Sequence, residues 1–285
     1  ILSSVAFLYY EKLDFSPALR GGHIKEIFKY SKWYVSGLLV NNLASQVDNV
    51  LVGKSFGATE LGLYSRGYQF LIAPAILIGG IVDKVLFPLI SKKKREQHKN
   101  TFEFFVASYF AVMTLGSLLA IFCFSYIEYF VIYGLGEQWV DAVPVFQWLS
   151  LCIPYKAAQK IVGSYLKAQG NVRLNFYFQV FNLAITFVAV IFAIQYSIEM
   201  VAILIVLSSV LYNLVTMKFM SYFYKSSMVI IRKLVLIALL TCAVPLLSVL
   251  IEFPDIQLFA MNLCAFALIG LLGVKSLRVI NYEEK

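Results

Sequence analysis

Long apolar runs, separated by short polar and basic segments, recur along the whole chain. Eight of them, at about 34–53, 68–91, 102–125, 142–167, 174–196, 199–222, 232–251 and 257–274, reach the roughly 20 helical residues that cross a bilayer's hydrocarbon. A shorter run, ILSSVAFLYY at 1–10, reads as the last turns of a further crossing whose start is missing. None of the runs alternates in the manner of a barrel strand, so the pattern predicts an all-α membrane protein. The first run is no signal peptide, because no basic segment precedes it and charged Glu11–Asp14 follows without a small-residue cleavage pattern. Residues 23–33, HIKEIFKYSKW, put Ile24, Ile27 and Phe28 on one side and Lys25, Lys29 and Lys32 on the other. That segment reads either as a short helix lying in the interface, with Trp33 at headgroup level, or as a plain amphipathic loop.

Composition narrows the class. Of 285 residues 60% are hydrophobic and only 14% charged, against about 45–50% and 25% in soluble domains, and the mean hydropathy is +0.79. Such a chain cannot cover its surface with polar groups, which excludes a soluble enzyme, a disulfide scaffold and a disordered tail. The net charge of +8 is a matter of topology. Lysine and arginine crowd one set of loops, as in Lys92–Arg95 with Lys99, Lys218 with Lys225, and Arg232 with Lys233. The alternate loops keep only Lys54 and Arg66, and carry Glu60, Glu128, Glu137, Asp141 and Glu199. The positive-inside rule then places the C-terminus in the cytoplasm and makes SKKKR at 91–95 a solvated cytoplasmic loop, with no nucleic-acid partner implied. The four cysteines and two histidines form no metal or disulfide spacing. No nucleophile–base pair, paired carboxylates or phosphate loop is visible, so no catalytic residue, metal or cofactor is expected.

Polar residues inside the spans are the candidate site, because a buried charge costs roughly 2.5–3.5 kcal/mol even on insertion scales and needs a cavity or a partner. Asn41, Ser45, Asp48 and Asn49 follow helical spacing in the first span, with Asn42 and Gln46 beside them. Two adjacent polar rows suit a helix lining water, with interhelical hydrogen bonding as the alternative. In the fourth span Lys156 and Lys160 lie one turn apart, and Lys156 is roughly 16 Å from the cytoplasmic end. Lys156 calls for an acid, a cavity or an anionic ligand, whereas Lys160 can snorkel to the interface. Pro154 predicts a kink beside them. Asp83 and Lys84 suggest an ion pair with a neighbouring helix, and Gln179, Asn182, Asn213 and Asn262 read as isolated structural polar groups.

Four segments carry a resemblance. They are Val47–Lys54 with Phe56-Gly57-Ala58 and Glu60–Arg66; Val85–Ser91; Tyr133–Ala142 with Phe146–Leu149; and Tyr165–Asn171. In order and spacing they resemble the polysaccharide exporter family, the bacterial repeat-unit flippases. Asn171 stands where that family's fourth motif has a basic residue. The resemblance covers roughly residues 10–225. It implies two pseudo-symmetric six-helix lobes around a cavity that opens alternately to each side. In that frame 1–33 holds the end of a truncated helix, a cytoplasmic loop and a linker helix. Residues 34–225 form the second six-helix lobe, and 226–285 an appended helix pair and cytoplasmic tail.

The resemblance implies, as cargo, an oligosaccharide on undecaprenyl pyrophosphate in the bacterial cytoplasmic membrane. Lys156 and Lys160 would meet the pyrophosphate, and Asn41, Asn42, Gln46, Asp48 and Asn49 the sugar hydroxyls, both groups needing replacement for lost water. Membrane lipids, a polysaccharide polymerase and glycosyltransferases are the implied partners. A cation-coupled drug exporter of the same superfamily would favour acids over lysines in the cavity. A membrane polymerase or glycosyltransferase would carry a long catalytic outer loop, and the outer loops here are short.

Overall fold

The computed structural model describes residues 21–96 and 101–223, with side chains from Lys25 onward except Glu26. The stub at 1–10, the last two spans, Asn262 and the C-terminus lie outside the described residues. Among the described residues eight α-helices follow one another, α1 (Gly21–Ala44), α2 (Val47–Phe56), α3 (Ala58–Arg95), α4 (Thr101–Phe130), α5 (Val143–Ser150), α6 (Ile153–Ala168), α7 (Val172–Ala193) and α8 (Ile198–Phe223). A π turn over Val131–Leu135 and a 3₁₀ turn over Glu137–Ala142 join α4 to α5. There is no strand among the described residues.

Four stretches, Ala58–Arg95, Thr101–Leu135, Val172–Ala193 and Ile198–Phe223, are single helices long and apolar enough to span a membrane. They coincide with four expected crossings, and the molecule is an all-α, multi-pass membrane protein. The other two expected crossings within the described residues are broken, each for its own reason. Between α1 and α2 there is neither proline nor glycine. There the Ser45 hydroxyl donates to the Asn42 carbonyl at 2.8 Å, and Gln46 N–H reaches back only three residues, to the Leu43 carbonyl at 3.1 Å. Two residues on, the Asn49 N–H bonds the Asp48 carboxylate at 2.9 Å. Local side-chain bonds of this kind compete with the helical ladder. Between α5 and α6 the cause is Pro154, which has no N–H to give. Leu151 and Cys152 tighten the chain there with three-residue bonds to Trp148 and Leu149, at 3.1 and 2.9 Å. The kink expected at Pro154 is thus a full break.

Two further expectations are corrected. Residues 23–33 are neither a separate interfacial helix nor a loop, because α1 runs without interruption from Gly21 to Ala44. The SKKKR run is not a solvated loop but the last turns of α3, where cations complement the helix C-terminus. Lys94 Nζ donates to the Gln169 carbonyl at 2.6 Å, and Lys93 sits 4.5 Å from the Phe104 ring centroid.

The core forms around α6, whose side chains are almost all buried, with α3 and α4 packed along it. Gly116 of α4 makes that contact possible, since a Cβ there would come within 2.7 Å of the Pro154 Cα. Membrane helices associate through close packing and hydrogen bonds rather than water exclusion. The polar Asn213 supplies such bonds, accepting from the Tyr109 hydroxyl at 2.8 Å and donating to the Tyr155 and Ser209 carbonyls at 3.3 and 2.8 Å. Its structural role is the one expected. On the other flank α1 lies along α7, and α7 along α8, leaving a space between α1, α3, α6 and α7.

Candidate functional site

That space is a cavity of about 610 Å³, within the roughly 300–1,000 Å³ typical of ligand sites. The two broken helices supply its most polar walls. Asn41 and the Ser45–Gln46 joint come from the end of α1, and Asn49 from the start of α2. Lys156, Lys160, Gly163 and Lys167 come from α6, where steps of four, three and four residues keep them on one face, with Gln159 beside them. Interrupting a helix at a site in this way frees polar groups to face a cavity.

Five of the seven candidate residues therefore share one lining: Asn41, Gln46, Asn49, Lys156 and Lys160. Asn42 is exposed and lies outside it. Asp48 also lies outside. It is 2% exposed and accepts a hydrogen bond from the Tyr64 hydroxyl at 2.9 Å, so its carboxylate ties α2 to α3. Lys156 is still within electrostatic reach of Asp48. The stem of Lys160 rests on Gly79 of α3, where an added Cβ would stand 2.8 Å from its Cδ.

Several lining residues were not in the expected set. Asn175, Gln179 and Asn182 present one face of α7 to the cavity, and Asn182 accepts a bond from Gln159 at 3.2 Å. Gln179 and Asn182 had been read as isolated, although their spacing with Asn175 is itself the signal of a shared face. Asp83 forms the expected ion pair, with Lys167 at 3.9 Å, and both line the cavity. The second Asp83 oxygen and the Asn49 side-chain oxygen have no partner among the described residues. The lining thus combines ammonium groups, amide donors and open acceptors, which suits a hydroxyl-rich ligand carrying negative charge.

The comparisons with known proteins bear on what that ligand is. A family model described as polysaccharide biosynthesis protein matches residues 1–144, half of the chain. The chain belongs to this family. The teichuronic acid biosynthesis protein TuaB of Bacillus subtilis (strain 168) is 31% identical over 160 residues, covering 56% of this chain and 32% of TuaB. The lipopolysaccharide biosynthesis protein WzxC of Escherichia coli (strain K12) is 24% identical over 182 residues, 63% of this chain and 37% of WzxC. The chain spans about a third of the length of these relatives. Among solved structures, the lipid II flippase MurJ in an inward closed conformation superposes with a TM-score of 0.57 at 15% identity, over 92% of this chain and 55% of MurJ. An outward-facing multidrug resistance MATE family transporter of the MOP superfamily gives 0.59 at 14%, over 89% of this chain and 66% of that one. At such identities the likeness is one of fold, and it is the fold of membrane exporters.

The family motifs have a physical basis in the structure. Asp48 and Tyr64, sixteen residues apart in one motif, are the two ends of the bond that closes α2 on α3. Gly57 turns the chain between those helices with φ +88°, a conformation side chains rarely adopt. Gly53 lets Leu61 approach, since a Cβ there would stand 2.8 Å from its Cδ2.

Proposed function

We propose that the protein is part of a flippase that moves oligosaccharide repeat units, linked to undecaprenyl pyrophosphate, across the bacterial cytoplasmic membrane for surface polysaccharide assembly. The observation that carries this reading is the cavity lining, where Lys156 and Lys160 stand opposite a set of amide side chains. The pyrophosphate leaves water on entering the membrane and finds two ammonium groups. The sugar hydroxyls find Asn41, Gln46, Asn49, Asn175 and Gln179, while the lipid chain stays in the bilayer. The described helices form the second of two six-helix lobes, and the cavity faces the other lobe in the complete transporter. Asp48 and Tyr64 position the α2–α3 corner rather than bind cargo. A polymerase and glycosyltransferases acting on the same lipid-linked units are the functional partners. Drug export coupled to a cation is the less favoured reading, because the acid in the lining, Asp83, already faces Lys167.

The test is Lys156→Gln in the full-length protein, assayed by surface polysaccharide in a strain lacking its own copy. We expect export to be lost with the protein inserted and abundant, and Lys156→Arg to retain part of it. Should Lys156→Gln deplete the protein, and Asp48→Asn restore it, the lysine is a structural partner of Asp48 and the cargo role is wrong.

A further inference from the structure

A second hollow, of about 490 Å³, shares no lining residue with the cavity. It lies between Lys29 and Trp33 of α1, Arg173 and Tyr177 of α7, and Phe219 and Phe223 of α8. Helical steps of about 100° set Arg173 and Tyr177 on the opposite face of α7 from Asn175, Gln179 and Asn182. The hollow therefore opens away from the cavity.

One of its cations is held in place by its neighbours. The Arg173 guanidinium donates from Nε and Nη2 to the Tyr177 hydroxyl, at 3.3 and 3.1 Å. It also sits 5.2 Å from the Trp33 ring centroid and 5.6 Å from that of Tyr177. This grip fixes the fork while leaving Nη1 without a protein acceptor among the described residues. Neither Arg173 nor Lys29 meets a carboxylate among the described residues. Trp33 packs edge-on against Phe176 at 5.3 Å, which keeps the α1 side of the hollow rigid. Beside the cations the wall is apolar, with Phe219 and Phe223 stacked at 6.2 Å and both partly exposed.

Two cations without an acid, set next to an aromatic wall, match an amphiphile with an anionic head. Basic pockets between transmembrane helices near the cytoplasmic surface bind anionic headgroups in this manner. We infer that this hollow is a binding site for an anionic phospholipid, whose phosphate bridges Lys29 and Arg173 while an acyl chain lies along Phe219 and Phe223. The site is independent of the cargo reading, since it uses none of the cavity's residues.

Native mass spectrometry of the full-length protein, released from membranes and titrated with phosphatidylglycerol or phosphatidylethanolamine, tests it. The wild type should retain phosphatidylglycerol preferentially. Lys29→Gln combined with Arg173→Gln should weaken that retention about tenfold. Replacing Lys92 and Lys93 by Gln should leave it unchanged. Lys29→Gln alone, remote from the ring stack, should lower retention in part, so a folding defect at Arg173 leaves the test intact. Equal retention of the two lipids, or undiminished retention in the Lys29 and Arg173 variants, would overturn the site. Full displacement of phosphatidylglycerol by millimolar inorganic phosphate would overturn the lipid as its occupant.

Discussion

At the scale of single residues, Asp48 and Lys156 began as equivalent candidates, each a charge inside a span, and the structure gives them different surroundings. Asp48 is sealed in by Tyr64, whereas Lys156 is half-buried and lines the cavity. Nothing in local spacing foretells that difference, because the residue that claims Asp48 lies on the next helix. The two positions should accordingly fail in different ways. Tyr64→Phe strips a buried carboxylate of its hydroxyl donor and leaves it only the Asn49 N–H among the donors described, a loss of roughly 1–3 kcal/mol, and should lower the melting temperature of the detergent-solubilised protein. Export should then fall only as the folded fraction falls. A Tyr64→Phe protein with wild-type thermal stability would show that the bond does not hold α2 to α3.

At the scale of elements, the apolar runs located α3, α4, α7 and α8 well, since length and hydropathy are what a bilayer selects. Their ends were harder to read. The start of α3 at Ala58 and its finish at Arg95 are too polar to register as membrane, yet the backbone stays helical through them. Pro154 announced its break. The break at Ser45–Gln46 did not, because it depends on which carbonyl a serine hydroxyl selects. That joint turns Asn41, Ser45, Gln46 and Asn49 toward the cavity and leaves Leu39 and Leu43 exposed outside it. Single cysteines at 41, 45 and 46 should therefore react with small hydrophilic thiol reagents much faster than cysteines at 39 or 43. Uniformly slow reaction across all five positions would mean that the cavity is closed to water.

For the whole molecule, the charge asymmetry of the loops predicts the side of the membrane. The basic end of α3, near Lys92–Arg95, should face the cytoplasm, and the Glu137–Asp141 turn should face outward. Cysteines at 92 and 137, labelled in intact cells with an impermeant maleimide, provide the check. We expect reaction at 137 alone, and reaction at 92 without permeabilisation would reverse the topology. Family and fold class were legible because four short motifs keep their order along the chain. The cavity was legible only in part, since α7 contributes amides that look unremarkable until α1 and α6 stand beside them.

The joint at Ser45–Gln46 also sets a mechanical ratio. Lys94 and the Asp83–Lys167 pair clamp α3 to the far end of α6, so those two walls behave as a fixed frame. The 24-residue α1, about 36 Å long at the usual helical rise, is instead an arm with that joint as its pivot, packed along α7. A tilt of about 5° at the pivot sweeps its opposite end through about 3 Å. The cavity lining runs from the fulcrum back to Tyr34, and Lys29 lies beyond it toward the other end. A tilt of α1 beside Gln46 would thus carry α7 with it, so that the hollow at Trp33 travels with both helices rather than changing shape.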